Sequence, residues 1–425
     1  MSSHRCPITS IVLATHNRRA VVTNTLSQIT RCGLDRKHYE IIVVDNNSID
    51  GTPAAIESGV DLLISLRRNA GSCGKANGVD RARGKYIVFL DDDSFPRPGA
   101  LLRMIERFEA DARLGAAGFT VHLPNGQREG AALPGVFVGC GVGLRLEALR
   151  EVGGLDRSFF MQAEEYDLCF RLANNGWKTS VFDDLHVEHL KTDHSRRSDR
   201  TTYYDIRNNL RVIARYLPTD YARAYHEDCL QRYRWLAIRD GHERAFARGA
   251  RNGQRRAILE RWLYRRRRLS SEVFERFYGL QFIGRQMTQL KNSGVRRVIL
   301  ADLGKNVFSF FKAGNDAGIS ISAIADDRFA SPGRSYRGIS VASMEQALAR
   351  EHDAVVVSNT GPEHAARTQR LLAARASKPV HSWFSAGETA EVNRIASPSP
   401  IWDSDDIGTG ISEECALPVG GGQES

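Results

Sequence analysis

The run Tyr86-Ile87-Val88-Phe89-Leu90 followed at once by Asp91-Asp92-Asp93 constrains this chain more than any other stretch. Five apolar residues in a row fit a buried strand, and three carboxylates end it. Adjacent carboxylates repel one another unless something positive sits among them. A hard divalent cation shared with phosphate oxygens meets that need, because such ions take oxygen ligands and share them with a substrate. A solvated acidic turn is the plainer alternative. Pro96 and Pro98 break the strand, and Leu101, Leu102, Ile105 and Phe108 then recur at helical spacing. The carboxylates therefore belong at the carboxyl end of a strand, where open α/β sheets bind ligands.

The neighbouring stretches follow the same pattern. Ser10-Ile11-Val12-Leu13-Ala14 reads as a first buried strand. The polar turn Thr15-His16-Asn17-Arg18 follows, then a helix marked by Val21, Val22, Leu26 and Ile29. Ile41-Ile42-Val43-Val44 is a β-branched run of the kind parallel sheets use, ending in Asp45-Asn46-Asn47-Ser48. Leu62–Leu66 reads as a third strand, and the small-residue loop 69–78 leads into a helix. Strands alternating with helices predict a parallel α/β sheet with its site at the strand ends. Gly71-Ser72-Cys73-Gly74-Lys75 is not a P-loop, which needs four residues between its glycines and a Ser or Thr after the Lys. Gly139-Cys140-Gly141-Val142-Gly143 falls short of a dinucleotide pattern and reads as a tight bend or close backbone approach.

Glu164, Glu165 and Asp167 fall at the start of a helix whose inner face carries Leu168, Cys169 and Leu172. Carboxylates are favourable at a helix N-terminus, so capping and catalysis are both open readings there. A strand at Thr179–Phe182 comes next, with His186 and His189 placed in a polar loop after it. A histidine downstream of both acidic motifs is a candidate metal ligand, and His186 and His189 are both open.

Composition bounds the rest. With 425 residues, 42% hydrophobic and 26% charged, the chain can fill two or three domain cores. It has no apolar run of about 18 residues, and MSSHRCPITS lacks the apolar stretch of a secretory signal. Seven scattered cysteines with no CxxC pair suit reduced thiols, so a cytoplasmic location is expected, with the inner membrane face as an alternative. The net charge of +9 is concentrated: residues 232–268 hold 13 arginines against Asp240, Glu243 and Glu260. This helical stretch reads as a solvated or self-paired face, or as a contact for an anionic membrane. It carries no nucleic-acid module, and no nucleic-acid partner is expected. A second α/β unit starts at Val295–Leu300 and continues through Ile319–Ile324 and Ala354–Asn359. Its phosphate loop keeps only Gly304 of the usual glycines, which favours a structural or assembly role over cofactor binding. Residues from about 386 on read as a disordered tail. The expected divisions are 1–215, 216–292, 293–385 and 386–425.

In order, SIVLATHNR, EIIVVDNNSIDGT, NAGSCGKANG, RGKYIVFLDDD, GLRLEALREVGGLDRSFFMQAEEYDLCFRL and NGWKT before His189 resemble family-2 glycosyltransferases of the GT-A fold. The resemblance covers roughly residues 8 to 215. It implies an N-terminal GT-A mixed sheet, followed here by the helical Arg-rich middle and a small C-terminal unit that resembles the Rossmann-like domains of sugar-nucleotide enzymes. It implies metal-dependent, inverting transfer from a nucleoside-diphosphate sugar, UDP-linked by default, to an acceptor hydroxyl in cell-surface glycan or glycosylated-metabolite biosynthesis. A lipid-linked acceptor is among the options. Carried over by position, Thr15, Asn17 and Arg18 match the first nucleotide-contacting turn, and Asp45 the residue that reads the base. Asn47 and Asn69 belong to the same nucleotide-sugar set. Asp91 and Asp93 match the metal and diphosphate motif, with Asp92 near the ribose, and His189 matches a late metal ligand. Mn²⁺ and Mg²⁺ both suit those ligands. Glu165 matches the catalytic base, with Glu164 and Asp167 as alternatives. Many members carry an Arg where this chain has Ala76, which leaves Lys75 to supply that charge. Two other readings remain: an inactive carbohydrate- or nucleotide-binding scaffold, and a bifunctional enzyme with a second sugar-nucleotide activity in residues 293–385.

Overall fold

The protein is described by a computed structural model covering residues 7–191 and 198–385. The tail expected from residue 386 lies outside the described residues.

The first sheet is built from β1 (Thr9–Thr15), β2 (Tyr39–Asp45), β3 (Leu62–Ser65), β4 (Tyr86–Leu90), β5 (Ser94–Pro96), β6 (Leu114–His122), β7 (Arg128–Glu129), β8 (Gly141–Arg145) and β9 (Lys178–His189). Its order is β3-β2-β1-β4-β8-β6-β9-β5, with β7 paired to β6. β3, β2, β1 and β4 are parallel, and β8 reverses against β4. β1 and β2 end level, Thr15 beside Asp45, and β4 ends next to them. The polar residues that close these three runs therefore emerge at one edge of the sheet.

Continuous apolar runs form β1, β2 and β4 because both faces of these strands are covered. On the helix Ala100–Ala110 the inner face is Leu101, Met104 and Phe108, whereas Leu102 is half exposed. Gly143 answers to the same contact: a Cβ there would lie 2.2 Å from Met104 Sδ, so only glycine admits the helix this close.

One element differs from the sequence reading. His186 and His189 lie in no loop; β9 runs unbroken for 12 residues to His189. The register of β9 against β6 jumps from Phe182 to His186, the signature of a bulge. Beyond it Leu185, Val187 and His189 alternate inward. The polar residues Asp183 and Asp184 at the bulge hide that alternation from a sequence reading. The extension pairs with β5, setting His189 opposite Ser94, next to Asp93.

The helix Asp199–Tyr216 closes the first expected division, and the connector expected over 216–292 holds four more helices, Thr219–Asp240, Glu243–Leu263, Ser271–Tyr278 and Leu280–Asn292. Val212, Tyr216, Tyr225, Phe274 and Phe277 join the core that holds Phe159 and Phe170. Ile283, Met287 and Leu290 instead join the core under a second sheet. That sheet comprises β10 (Arg297–Ala301), β11 (Ser320–Ala325), β12 (Ser335–Tyr336), β13 (Ile339–Ala342), β14 (Ala354–Val357) and β15 (Val380–His381), in the order β12-β13-β11-β10-β14-β15. All its strand pairs are parallel except β12 with β13. The two units are bonded together: Thr360 Oγ1 donates to the Ala132 carbonyl at 3.1 Å, and Arg337 meets Asp228 at 2.7 Å. Among the described residues no helix is long and apolar enough to cross a membrane.

Candidate active site

The ends of β1, β2 and β4 and the first turn after β3 enclose a cavity of about 490 Å³, and Thr15, Arg18, Asn69, Lys75, Asp91 and Asp93 stand among its walls with Asp92 and His189. Each aspartate has a different environment. Asp91 is partly open to solvent and meets Lys75 Nζ at 2.7 Å; that ammonium is buried and also donates to the Gly139 carbonyl at 3.1 Å. Asp92 is turned inward, accepting from Thr15 Oγ1 at 2.8 Å and from Arg18 at 2.7 Å. Burial outweighs those partners and raises its carboxyl to about 6. Asp93 sits between Arg18, at 2.8 Å, and His189 Nε2, at 3.1 Å. Burial opposes its charge, but His189 and Arg18 prevail and hold it at about 2. The other nitrogen of His189 meets Glu129 at 2.9 Å. Burial would discharge this imidazole; Asp93, Cys140 and Glu129 instead keep it protonated to about 12. The positive charge that three adjacent aspartates require is thus present as Arg18, Lys75 and protonated His189.

Asp91, Cys140 and His189 each offer a ligand atom, and the three atoms lie within 4.8 Å of one another. The carboxylates and imidazole suit Mn²⁺ or Mg²⁺. The Cys140 thiol, whose pKa burial raises, offers no ready thiolate and is the least suited of the set. A divalent ion held by Asp91, Asp93 and His189 would take over the charge that the His189 proton now carries.

The remaining nucleotide-set residues are placed unevenly. Asn17 donates its backbone N–H to Ser48 Oγ and accepts from the Ile49 N–H, both at 2.8 Å, which ties the first turn to the second. Asn17 and Asn47 both have positive φ, 52° and 65°, values asparagine tolerates. Neither they nor Asp45 reach the cavity wall. Asp45 is buried beside it, with one oxygen taken by the Ser48 N–H and the other without a partner. Asn69 accepts from the Gly71 N–H at 2.8 Å, shaping its own loop as well as the wall.

The acidic helix Glu164–Asn174 separates its three candidates. Glu164 is bonded by the Ser72 hydroxyl, on the wall of the same cavity, and its second oxygen has no partner. Glu165 faces a neighbouring cavity. Burial, and then the Glu164 charge, raise its carboxyl to about 8. Asp167 is corrected: it is 1% exposed and enclosed by Arg171 at 2.6 Å, Arg215 at 2.9 Å and the Tyr216 hydroxyl at 2.6 Å. It anchors this helix to Asp199–Tyr216 and is not available as a base. Before the helix, Phe160, Gln162 and Ala163 all adopt positive φ near 65–69°. Three such non-glycine residues store strain, of the kind found at functional sites. Buried Asn208 holds them, its side-chain amide donating to the carbonyls of Phe159, Met161 and Gln162 at 2.7–3.0 Å.

Residues 10–133 match the model of glycosyl transferase family 2, and residues 112–271 that of glycosyl transferase family group 2. Across residues 10–271 the chain is a family-2 glycosyltransferase by these matches. It is 38% identical over 107 residues to the succinoglycan biosynthesis protein ExoO of Rhizobium meliloti, covering 24% of this chain and 30% of that protein. It is 31% identical over 108 residues to the GalNAc(5)-diNAcBac-PP-undecaprenol beta-1,3-glucosyltransferase of Campylobacter jejuni, covering 24% and 34%. The matched stretches thus span about a third of these relatives' length. Among solved structures, the mannosyltransferase PcManGT of Pyrobaculum calidifontis in complex with GDP-Man and Mn²⁺ aligns at 17% identity and TM-score 0.42, over 60% of this chain and 76% of that one.

In this family-2 chain, Cys140, Ser72 and Asn208 escape the sequence reading. The glycines around Cys140 signal a bend and say nothing of a thiol 3.4 Å from His189. Asn208 lies in a plain helical stretch, and only the fold brings it to the strained loop.

Proposed function

We propose that the protein transfers a sugar from a nucleoside-diphosphate sugar, by family default a UDP-sugar, to an acceptor hydroxyl in glycan biosynthesis, inverting the anomeric carbon. The observation that carries this reading is convergence: Thr15, Arg18, Lys75, the three aspartates and His189 come from separate elements to line one cavity, and the Glu164–Glu165 turn abuts it. On this reading Arg18 and Lys75 contact the diphosphate oxygens, and Asp45, assigned to the base by the resemblance, lies behind the wall with one oxygen unpartnered. Held by Asp91, Asp93 and His189, Mn²⁺ or Mg²⁺ would offset the charge on the departing diphosphate.

Glu165 is the preferred base. Burial raises both carboxyls, but one oxygen of Glu164 is taken by Ser72, which leaves Glu165 the freer of the two to accept a proton. The acceptor oxygen bonds to the anomeric carbon as the bond from that carbon to the diphosphate oxygen breaks. The hydroxyl proton goes to Glu165, and the nucleoside diphosphate leaves with the electron pair.

The peripheral membrane contact also belongs to this reading. On the helix Glu243–Leu263, Ile258 is 78% exposed and Trp262 63%, with Leu259 and Leu263 beside them. Arg265 lies over the Trp262 ring at 5.2 Å, and Arg266 and Arg267 are exposed next to it. Apolar side chains with a tryptophan and flanking arginines suit the interface of an anionic membrane.

Calorimetric titration of UDP, GDP and dTDP, with and without Mn²⁺, tests the donor. UDP is expected to bind tightly only with metal, and Asp93→Ala to abolish that binding. If no nucleotide binds the intact protein under either condition, the transferase reading fails.

A further inference from the structure

Behind the donor cavity lies a second one of about 220 Å³, between the transferase domain and the second α/β unit. Its walls include Glu165 from the first, Arg232 from the helical middle, and Lys305, Arg328, Asn359 and His364 from the second. Gly304 and Lys305 follow β10, and Asn359 follows β14. The chain order of the second sheet reverses between those two strands, the place where open parallel sheets bind ligands. The two cavities share a partition. Glu129 lines this one and bonds His189 of the other, while Glu165 lines this one and its neighbour Glu164 bonds Ser72 on the wall of the other.

The charges on these walls do not balance. Arg328 is matched by Asp302 at 2.8 Å and Asp326 at 3.2 Å, and Glu129 by His189 and Lys191. Lys305 and Arg232 make no ion pair among the described residues; Asp205 for Lys305, and Asp302 and Asp326 for Arg232, act on them from beyond ion-pair distance. Lys305 Nζ meets the Asn209 side-chain oxygen at 3.3 Å and lies over the Tyr166 and Tyr233 rings, at 4.8 and 6.0 Å. Arg232 donates to the Leu303 carbonyl and lies over the Phe329 ring at 4.9 Å. Glu165, whose neutral form burial favours, does not supply the missing charge. Two half-buried cations that face one cavity with no direct ion-pair partner are open to an anion placed between them.

We propose that this cavity is the acceptor site, and that the acceptor carries a phosphate or similar anionic group seated by Arg232 and Lys305 with its nucleophilic hydroxyl at Glu165. The proposal rests on the transferase reading above. It makes the second α/β unit a substrate-binding part of the enzyme. At about 220 Å³ the cavity is smaller than the ~300–1,000 Å³ of a whole small-molecule site, which suits a charged head group rather than an entire long acceptor.

The test uses the full chain saturated with UDP and Mn²⁺, so that the donor cavity is filled, and titrates inorganic phosphate by calorimetry. Wild type is expected to bind. Lys305→Met and Arg232→Met, which keep the apolar stem and remove the charge, are each expected to weaken phosphate binding by at least roughly tenfold. UDP affinity, measured separately, is expected to stay within about twofold, because neither residue touches the donor cavity. Melting temperatures at or above that of wild type would show that the variants fold. If UDP binds but phosphate does not, or binds both variants as tightly as wild type, the acceptor assignment falls and the donor reading stands. If UDP does not bind, the transferase reading falls and the acceptor assignment with it. Two further probes separate the sources of phosphate. Lys305-dependent binding to phosphatidylcholine vesicles carrying polyprenyl phosphate assigns a lipid head group. Lys305-dependent binding of glucose 1-phosphate, with none to the vesicles, assigns a soluble sugar phosphate.

Discussion

The two sheets each end in a cluster of aspartates, and they treat it in opposite ways. In the second sheet, Asp302 after β10 and Asp326 after β11 are closed by one arginine, Arg328, two residues from Asp326. In the first, Asp91, Asp92 and Asp93 divide three cations among them: Arg18 from the turn after β1, Lys75 from the loop after β3, and His189 from the end of β9. A local arginine answers a local acid and leaves neither carboxylate open to an arriving cation. Cations gathered from distant elements leave carboxylates on a cavity wall, where an arriving ion or phosphate can exchange partners with them. Within the helix Glu164–Asn174 the same contrast separates Asp167, enclosed by two arginines, from Glu165, which faces a cavity.

Substitution of the open acids should cost activity, and of the closed ones stability. The largest effect expected is at Glu165. Glu165→Gln should lower turnover by about 10²–10⁴-fold, the usual worth of a general base. In wild type, turnover should rise with pH to a plateau above about 8, where the carboxylate forms. The linkage has the opposite sign. Because folding raises this carboxyl, its contribution to stability is full below the unfolded glutamate pKa and is lost as pH rises through about 8. The melting temperature of Glu165→Gln should therefore overtake wild type across that window. A variant that keeps turnover would remove Glu165 from the role of base.

Next, Asp93→Ala should reduce metal-dependent turnover by roughly 10²–10³-fold, whereas Asp326→Asn should change it by less than about twofold. Equal losses at both would erase the contrast between the sheets. Asp167→Asn should cost roughly 3–5 kcal/mol of stability in denaturant titration, because it strands part of the charge of Arg171 and Arg215. Turnover per folded molecule should hold. The smallest effect is expected at the exposed arginines: Arg266→Ser should weaken binding to phosphatidylglycerol vesicles by about fivefold, near 1 kcal/mol per charge. Sedimentation unaffected by this change, or by Trp262→Ser, would dismiss the membrane-facing surface.

Much of the first sheet is legible before any folding. Ile11–Leu13, Ile41–Val44 and Ile87–Leu90 are continuous apolar runs, and each announces both its strand and the polar turn that ends it. The expected connector is less legible. Its helical periodicity is clear, but Phe274 serves one core and Ile283 another, and no local pattern tells a helix which of two sheets it will cover.

By itself the sequence determined the strand runs, the place of Asp91–Asp93 at a strand end and the acidic turn at Glu164–Glu165. Those follow from local hydrophobic pattern and spacing. Only the tertiary structure decided which of these acids are open. The bulge in β9 carries His189 to Asp93, Arg215 from a helix about 50 residues away closes Asp167, and Lys305 from the second unit comes to the cavity that Glu165 lines. Charge neutralisation acts through space over a few ångströms, and separation along the chain carries no record of it.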